Sequence, residues 1–219
     1  MPIILVTGFE PFGGDTVNPS RELAKAVDGR RVGACAVRGA VLPVEHRIAR
    51  EMIASHLVAP ELLAVLHLGL ASGRARIALE QVAVNAMDYA IPDAQGAVIV
   101  GEPCVARGPD AYFSTLPNRA ILSALGQEAL PAYLSYTAGT YLCNQTLYWT
   151  LHEIARHRLA IQAGLMHVPL LPSMVAAHGR EEPSMDAATT LRALDIALRV
   201  IAADAAAPSA RGGGQGAPA

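Results

Sequence analysis

The stretch IILVTGFEPFGGD, residues 3–15, is the part of the sequence that most clearly indicates the fold. Four apolar residues, Ile3 to Val6, run directly into a loop with three glycines and two phenylalanines. A short apolar run that ends near glycine is typical of a buried strand, so we place the loop after the first strand of a sheet. Asn18-Pro19 then offers a capping side chain followed by proline at the first helical position. The chain is thus predicted to open with a strand, a loop and a helix.

The glycine spacing of this loop imitates a phosphate-binding loop, but the ligands of phosphate are missing. Gly14-Asp15 stand where such a loop carries Lys followed by Ser or Thr, and Pro11 has no backbone N–H to donate. The loop instead holds Phe9 and Phe12, two of the three phenylalanines of the chain. We therefore expect a small, flat, uncharged ligand rather than a phosphate.

Strand-like and helical patterns alternate along the rest of the chain. The predicted later strands are residues 34–42, 62–68, 77–85, 132–136 and 162–168, and the predicted helices are residues 18–28, 43–57, 142–156 and 185–201 with one more starting at 117. This alternation predicts a layered α/β fold with a mostly parallel sheet. We assign residues 1–204 to one domain and predict that residues 205–219, rich in Pro, Gly and Ala, form a disordered tail.

Composition excludes several classes of partner. The 219 residues, 52% of them hydrophobic, are enough to form one sizeable core. A net charge of -2 does not favour binding to nucleic acid or to an anionic membrane. The opening residues lack the basic segment of a secretory signal, and no apolar run reaches the length of a membrane span. We expect a cytoplasmic protein whose three cysteines are free thiols without metal-like spacing.

Cys143, in TAGTYLCNQTLYW, is the candidate nucleophile. It follows a Gly139-Thr140 turn and opens a predicted helix, whose unpaired N–H groups favour a thiolate and could stabilise an oxyanion. The alternative is that Cys143 is a small buried hydrophobe. Cys35 lies within a predicted strand and Cys104 in the Pro- and Gly-rich stretch, so neither has this setting.

A cysteine nucleophile needs a base, and two histidines compete for that role. His67 and His167 both end predicted strands, and their local sequences do not distinguish them, whereas His178 is predicted to lie in a loop. Glu80 is a charged residue within an apolar strand pattern. Because buried carboxylates need partners, Glu80 either pairs with an arginine, Arg74 or Arg76, or orients a histidine.

Six segments of the chain resemble the pyroglutamyl peptidase I (pyrrolidone-carboxylate peptidase) family of cysteine peptidases. In order, they are ILVTGFEPFGGDTVNPS, ALEQVAVN, IPDAQG, AYFSTLP, TAGTYLCNQTLY and MHVPLLP, and the resemblance covers residues 3 to about 203. It implies an α/β/α sandwich and a cytosolic, commonly homotetrameric enzyme without metal or cofactor. The implied activity removes N-terminal pyroglutamate from small peptides.

The resemblance also assigns roles to individual residues. It places the catalytic triad on Glu80, Cys143 and His167, and so decides against His67. The substrate-binding residues that it implies are Phe9, Phe12, Asn18, Leu70, Ile91, Tyr141 and Leu142, with Asn18 supporting the loop.

The chain departs from the family pattern at two positions. Ala90 stands before Ile-Pro-Asp where many relatives carry Arg, and Leu70 stands where they commonly carry Gln. The lost Arg leaves open a catalytically weakened homologue that binds pyroglutamyl peptides or lactams. An enzyme that handles nucleosides or phosphate on a similar fold is disfavoured, because the first loop lacks phosphate ligands.

Overall fold

A seven-stranded sheet lies at the centre of the structure, a computed structural model that describes residues 1–206. The strands are β1 Ile3–Phe9, β2 Arg31–Val32, β3 Cys35–Leu42, β4 Leu62–Leu70, β5 Ile77–Glu80, β6 Val82–Val84, β7 Ala111–Phe113, β8 Ala132–Ser135 and β9 Gln162–Val168. The order across the sheet is β2-β3-β1-β4-β9-β5-β8, and β6 and β7 form a separate two-stranded sheet.

Helices cover both faces of this sheet. They are α1 Pro19–Val27, α2 His46–Leu57, α3 Asn118–Gln127, α4 Leu142–His157, α5 Pro172–His178 and α6 Ala187–Ala206. Helices α1, α3 and α6 bury their apolar residues against one face, and α2 and α4 bury theirs against the other. Strand β1 serves both cores because its side chains alternate, with Ile4 and Val6 in the first and Leu5 in the second. The predicted three-layer α/β/α sandwich is confirmed.

The direction of the strands places a cleft at one edge of the sheet. Strand β1 runs parallel to β3 and β4, and β4 runs parallel to β9, so the carboxyl ends of β1, β4 and β9 meet at the same edge. Ligands of such sheets bind at this edge. Strand β5 runs antiparallel to β9, however, and parallel to β8. The sheet is therefore mostly parallel, as predicted, with the reversed strands β5 and β8 on one side and the short antiparallel strand β2 at the other edge.

The structure differs from the predicted elements at short segments. The predicted strand 77–85 is interrupted at Gln81, so that its two halves, β5 and β6, belong to different sheets. Strands β2 and β7 and helix α5 were not predicted, because two to seven residues are too few to show a periodic pattern. Helix α6 continues to Ala206, two residues past the predicted domain boundary, and positions 207–219 of the predicted tail lie outside the described residues. Within residues 1–206, no helix has the length and apolar character needed to cross a membrane.

Helix α1 packs directly on the backbone of β1 at Gly8. A Cβ at this position would lie 2.0 Å from the carbonyl oxygen of Ser20, so only glycine allows the approach. Asn18 caps the helix by accepting from the Ser20 N–H, and the Phe9 N–H donates to Ser20 Oγ. These contacts fix the two ends of the intervening loop.

Gly8→Ala should lower the free energy of unfolding by at least about 1–3 kcal/mol, because the added methyl group overlaps the backbone of Ser20. Gly126→Ala is the matched control, since Gly126 is exposed in α3 and a Cβ there meets nothing within 4 Å. It should stabilise the protein by about 0.5–1 kcal/mol. Urea unfolding of both variants measures the difference, and equal effects would contradict the proposed packing.

Candidate active site

Three elements bring Glu80, Cys143 and His167 together. Glu80 ends β5, Cys143 is the second residue of α4, and His167 lies one residue before the end of β9. Since β5 and β9 are antiparallel, Ala78 is directly opposite His167, and Glu80 is its diagonal neighbour on the same face. Glu80 Oε1 lies 2.8 Å from His167 Nδ1.

The sulfur of Cys143 lies near Nε2, the other nitrogen of the His167 ring, and its interaction with the ring raises the pKa of His167. Both groups converge on Gly69 in β4, where a Cβ would lie 2.6 Å from Cys143 Sγ and 3.0 Å from His167 Nε2. The absence of a side chain at Gly69 therefore makes room for the contact. The order carboxylate, imidazole, thiol is the arrangement expected of an activated cysteine.

The two histidines that the sequence could not separate have different surroundings. His67 is fully buried, with Nδ1 2.7 Å from Thr7 Oγ1 and Nε2 2.9 Å from Thr150 Oγ1. Burial lowers the pKa of His67 to about 3, so this ring is neutral. Thr150 is seven residues, about two helical turns, beyond Cys143 in α4. His67 thus joins β4 to α4 within the core.

Glu80 contacts both kinds of expected partner, an arginine and a histidine. Its Oε1 accepts from Arg74 Nη1 at 2.7 Å as well as from His167. Burial alone would raise the pKa of Glu80, but hydrogen bonds to His167 and Arg74 and the charge of His167 lower it. Arg74 also donates to the Thr137 carbonyl, in the loop before α4. Arg76 instead lies over the ring of Tyr133, 4.6 Å from its centre.

His167 is held in its protonated form at neutral pH. Burial disfavours the imidazolium, but the neighbouring Cys143 and Glu80 outweigh it and raise the pKa of His167 to about 9. Glu80 accepts the proton of Nδ1, which directs Nε2 towards the sulfur. An imidazolium beside a cysteine favours the thiolate.

Cys143 also lies where backbone donors are free. Tyr141, the residue before α4, makes no side-chain capping bond, so the N–H groups of the first helical turn keep their capacity to donate. The two other cysteines lack these features. Burial raises the pKa of the Cys104 thiol to about 12 and also raises that of Cys35. The three cysteines are free, and only Cys143 is partly exposed.

A cavity of about 630 Å³ opens beside Cys143 at the carboxyl edge of the sheet. It is lined by all seven of the predicted substrate-binding residues, Phe9, Phe12, Asn18, Leu70, Ile91, Tyr141 and Leu142. The ring of Phe12 is tilted against that of Tyr141 with 6.0 Å between centroids. Asn18 Nδ2 donates to the Glu10 carbonyl at 3.0 Å, which supports the loop between β1 and α1.

Other lining residues were not predicted from the sequence. They include Val44, Asp15, His178 and Arg180. His178 was predicted in a loop, but it is the last residue of α5. Asp15 belongs to the loop that the sequence already marks, whereas Val44, His178 and Arg180 reach the cavity from distant segments that no local pattern marks. Ala90 is exposed, between buried Tyr89 and the lining residue Ile91.

One cluster in the described part of the chain has the composition of a metal site. Ligand atoms of Glu45, His46 and Asp93 lie within 4.8 Å of one another. The carboxylates already accept hydrogen bonds, however. Glu45 caps α2 through two backbone N–H groups, and Asp93 accepts from the backbone and ring of His46 and from two further N–H groups. The cluster joins the start of α2 to the segment around Asp93.

Comparisons with known proteins agree with this geometry. The profile of the pyroglutamyl peptidase family matches residues 3–204. Pyrrolidone-carboxylate peptidase from Pyrococcus furiosus is 42% identical over 202 residues, which cover 90% of this chain and 96% of that protein. The Vibrio vulnificus (strain CMCP6) protein of the same name is 42% identical over 195 residues, covering 89% of this chain and 90% of that protein.

Solved structures show the same fold. A mutant of pyrrolidone carboxyl peptidase from Pyrococcus furiosus superposes with a TM-score of 0.89 at 40% identity, covering 92% of this chain and 99% of that one. The Thermococcus litoralis enzyme gives a TM-score of 0.89 at 38% identity, covering 93% and 94%. The chain belongs to the pyroglutamyl peptidase family, a family of peptidases.

Arg74→Met should lower the free energy of unfolding by about 1–3 kcal/mol at neutral pH, because buried Glu80 loses one of its two donors. The lowered pKa of Glu80 stabilises the fold above the ordinary carboxyl pKa, and this contribution is lost as pH falls through the folded-state value. The effect of the substitution should therefore shrink in acid. Urea unfolding at neutral and acidic pH measures it.

Arg76→Met is the matched control. This substitution removes the same positive charge, but Arg76 contacts the ring of Tyr133 instead of Glu80. Its smaller effect should not change with pH in the carboxyl range. The same pH dependence in both variants would mean that the contact between Arg74 and Glu80 is not its cause.

Proposed function

We propose that this chain is a cysteine peptidase that removes N-terminal pyroglutamyl residues from small peptides through a thioester intermediate. The observation that carries this proposal is the chain of contacts from Glu80 through His167 to Cys143, at the wall of an aromatic cavity. Membership of the pyroglutamyl peptidase family supports the same activity.

The cavity suits pyroglutamate because this residue is a flat, neutral lactam. Its amine is cyclised, so a site that recognises an ammonium group would have nothing to bind. Phe9, Phe12 and Tyr141 offer apolar faces for the ring. The two cationic side chains of the wall, His178 and Arg180, each contact a carboxylate, which suits a site for an uncharged group.

The first chemical step joins the sulfur to the substrate. His167 holds the proton, and Cys143 attacks the carbonyl carbon of the pyroglutamyl group as a thiolate. The N–H groups at the start of α4 stabilise the negative charge that develops on the carbonyl oxygen. Glu80 holds the ring of His167 in position and stabilises its positive charge.

The two products, the shortened peptide and pyroglutamate, leave one after the other. His167 donates its proton to the leaving amine as the carbon–nitrogen bond breaks, which leaves the pyroglutamyl group bound to sulfur as a thioester. Neutral His167 then takes a proton from water, which attacks the thioester carbonyl. Pyroglutamate leaves, and the thiolate and imidazolium are restored. The step uses water alone and no cofactor.

The enzyme is further proposed to act in the cytoplasm as a homotetramer. The three free cysteines support a reducing compartment. Large apolar side chains that are exposed in this structure, namely Val98, Val100, Phe113 and Tyr136, are available for contacts between subunits.

Cys143→Ser should reduce hydrolysis of a fluorogenic pyroglutamyl amide by at least about a thousandfold, because the nucleophile is lost. The assay is run under reducing conditions, with an alanyl amide as the substrate control. Cys35→Ala is the matched protein control, since Cys35 is buried in β3 and remote in sequence from the proposed triad.

Three outcomes distinguish the hypotheses. Hydrolysis of the pyroglutamyl amide alone, lost only in Cys143→Ser, would support the proposed activity and nucleophile. Binding of a pyroglutamyl peptide without hydrolysis by folded wild-type protein would favour the weakened homologue. Hydrolysis retained in Cys143→Ser would rule out the nucleophile.

A further inference from the structure

The loop between β1 and α1, residues 10–17, carries part of the cavity wall but has few attachments. Phe12 lies in it, against Tyr141, and Gly13 and Gly14 adopt positive φ angles with open space around them. Among the described residues, the segment 11–17 has one hydrogen bond to a side chain outside the loop. It joins Asp15 Oδ1 to His178 Nε2 at 2.8 Å.

His178 contacts a carboxylate through each of its ring nitrogens. Nε2 faces Asp15, and Nδ1 lies 2.7 Å from Glu182 Oε2. Ionised carboxylates only accept hydrogen bonds, so both nitrogens must donate, and a ring with two donors is an imidazolium. With both carboxylates ionised, these two contacts correspond to a protonated His178.

The charges around this histidine are balanced. Asp15 comes from the β1–α1 loop, whereas Glu182 and Arg180 come from the segment after α5, and Arg180 Nε lies 3.0 Å from Glu182. Hydrogen bonds to Asp15 and Glu182 raise the pKa of His178. The two carboxylates and the two cations form one network at the cavity wall.

Asp15 has no role in the proposed chemistry, although it lies in the loop that forms the pocket. Asp15 N–H contacts the Phe12 carbonyl at 3.3 Å, which closes the turn through the two glycines. Fixing Asp15 therefore fixes the turn that carries Phe12. His178 belongs to a helix, so the anchor is provided by an ordered element rather than by another loop.

We infer that His178, as an imidazolium, is a positioning residue that holds Phe12 against the pyroglutamyl ring through Asp15. This inference rests on the proposed function, because it concerns the affinity of that same pocket. The hydrogen-bond partners of His178 are Asp15 and Glu182, not Glu80 or the sulfur of Cys143. His178 therefore acts on substrate binding, before the chemical steps. Its loss should thus weaken substrate binding more than it slows turnover.

The inference predicts a dependence of KM on pH. The bridge between His178 and the two carboxylates is complete below the ordinary histidine pKa of about 6.5 and weakens as pH rises through the raised value. KM should therefore increase towards alkaline pH in the wild-type protein. This increase in KM at alkaline pH should be absent when residue 178 is one that does not titrate, such as glutamine.

Two measurements on His178→Gln test the inference. Hydrogen–deuterium exchange of residues 10–17 reports the anchor without substrate, and it should be faster in the variant. Steady-state kinetics with a pyroglutamyl amide should show KM raised about three- to tenfold, the size of one lost polar contact, and raised more than kcat is lowered. His178→Gln should also lack the alkaline rise in KM.

Asp15→Ala and His157→Gln complete the design. Asp15→Ala removes the acceptor at the other end of the contact and should give the same rise in KM, without a further rise when it is combined with His178→Gln. His157→Gln is the matched control, because His157 pairs with Glu153 at the far end of α4. It should change neither loop exchange nor KM.

Unchanged loop exchange in His178→Gln would overturn the inference. Faster exchange with unchanged KM would also overturn it, because the anchor would then not serve the pocket. Absence of wild-type hydrolysis would instead count against the proposed function, while loop exchange would still test the anchor.

Discussion

The ionised side chain of Glu80, buried in the protein interior, is the constraint on which the site depends. An uncompensated carboxylate there would be costly, so its neighbours must supply positive charge and hydrogen bonds. His167 and Arg74 supply both through the same oxygen, Oε1. The charge of Cys143 and the contact with Glu80 together explain why His167 is protonated at neutral pH although it is buried. The His167 ring therefore carries its charge between the sulfur of Cys143 and the carboxylate of Glu80.

The reversed strand β5 makes this arrangement possible. If β5 ran parallel to β9, Glu80 at its end would extend past His167 at the carboxyl edge of the sheet. Because β5 is antiparallel, its last residue lies beside Leu165 in the interior part of β9, where its carboxylate contacts Nδ1 of His167. Gly69 in β4 and the start of α4 then bring the sulfur to the other nitrogen. Three neighbouring strands and one helix thus hold Glu80, His167 and Cys143 together.

Local patterns in the sequence predicted the layered fold and the helix start at Cys143. They did so because alternating strands and helices, glycine turns and apolar runs are short-range features. The choice between His67 and His167 needed the family resemblance, since both follow similar apolar runs. The structure separates them by their partners, two threonines for His67 and a carboxylate for His167.

Other features depend on contacts between distant segments and could not be predicted in this way. The reversal of β5 has no local signal, and Glu80 was expected to have one partner rather than two. His178 reaches the cavity from the end of the short helix α5, and its contact with Asp15 joins residues 163 positions apart. Such contacts are set by the packing of the whole domain, so the pattern around each residue does not reveal them.

The most direct test of the central claim is an NMR titration of the His167 ring, assigned by comparison with a His167→Asn variant. We expect the ring to be an imidazolium at neutral pH and to lose its proton at about pH 9 in the wild-type protein. Glu80→Gln should lower that midpoint. A midpoint at or below the ordinary value of about 6.5, or one unchanged by Glu80→Gln, would contradict the claim that Glu80 holds the charge of His167 beside Cys143.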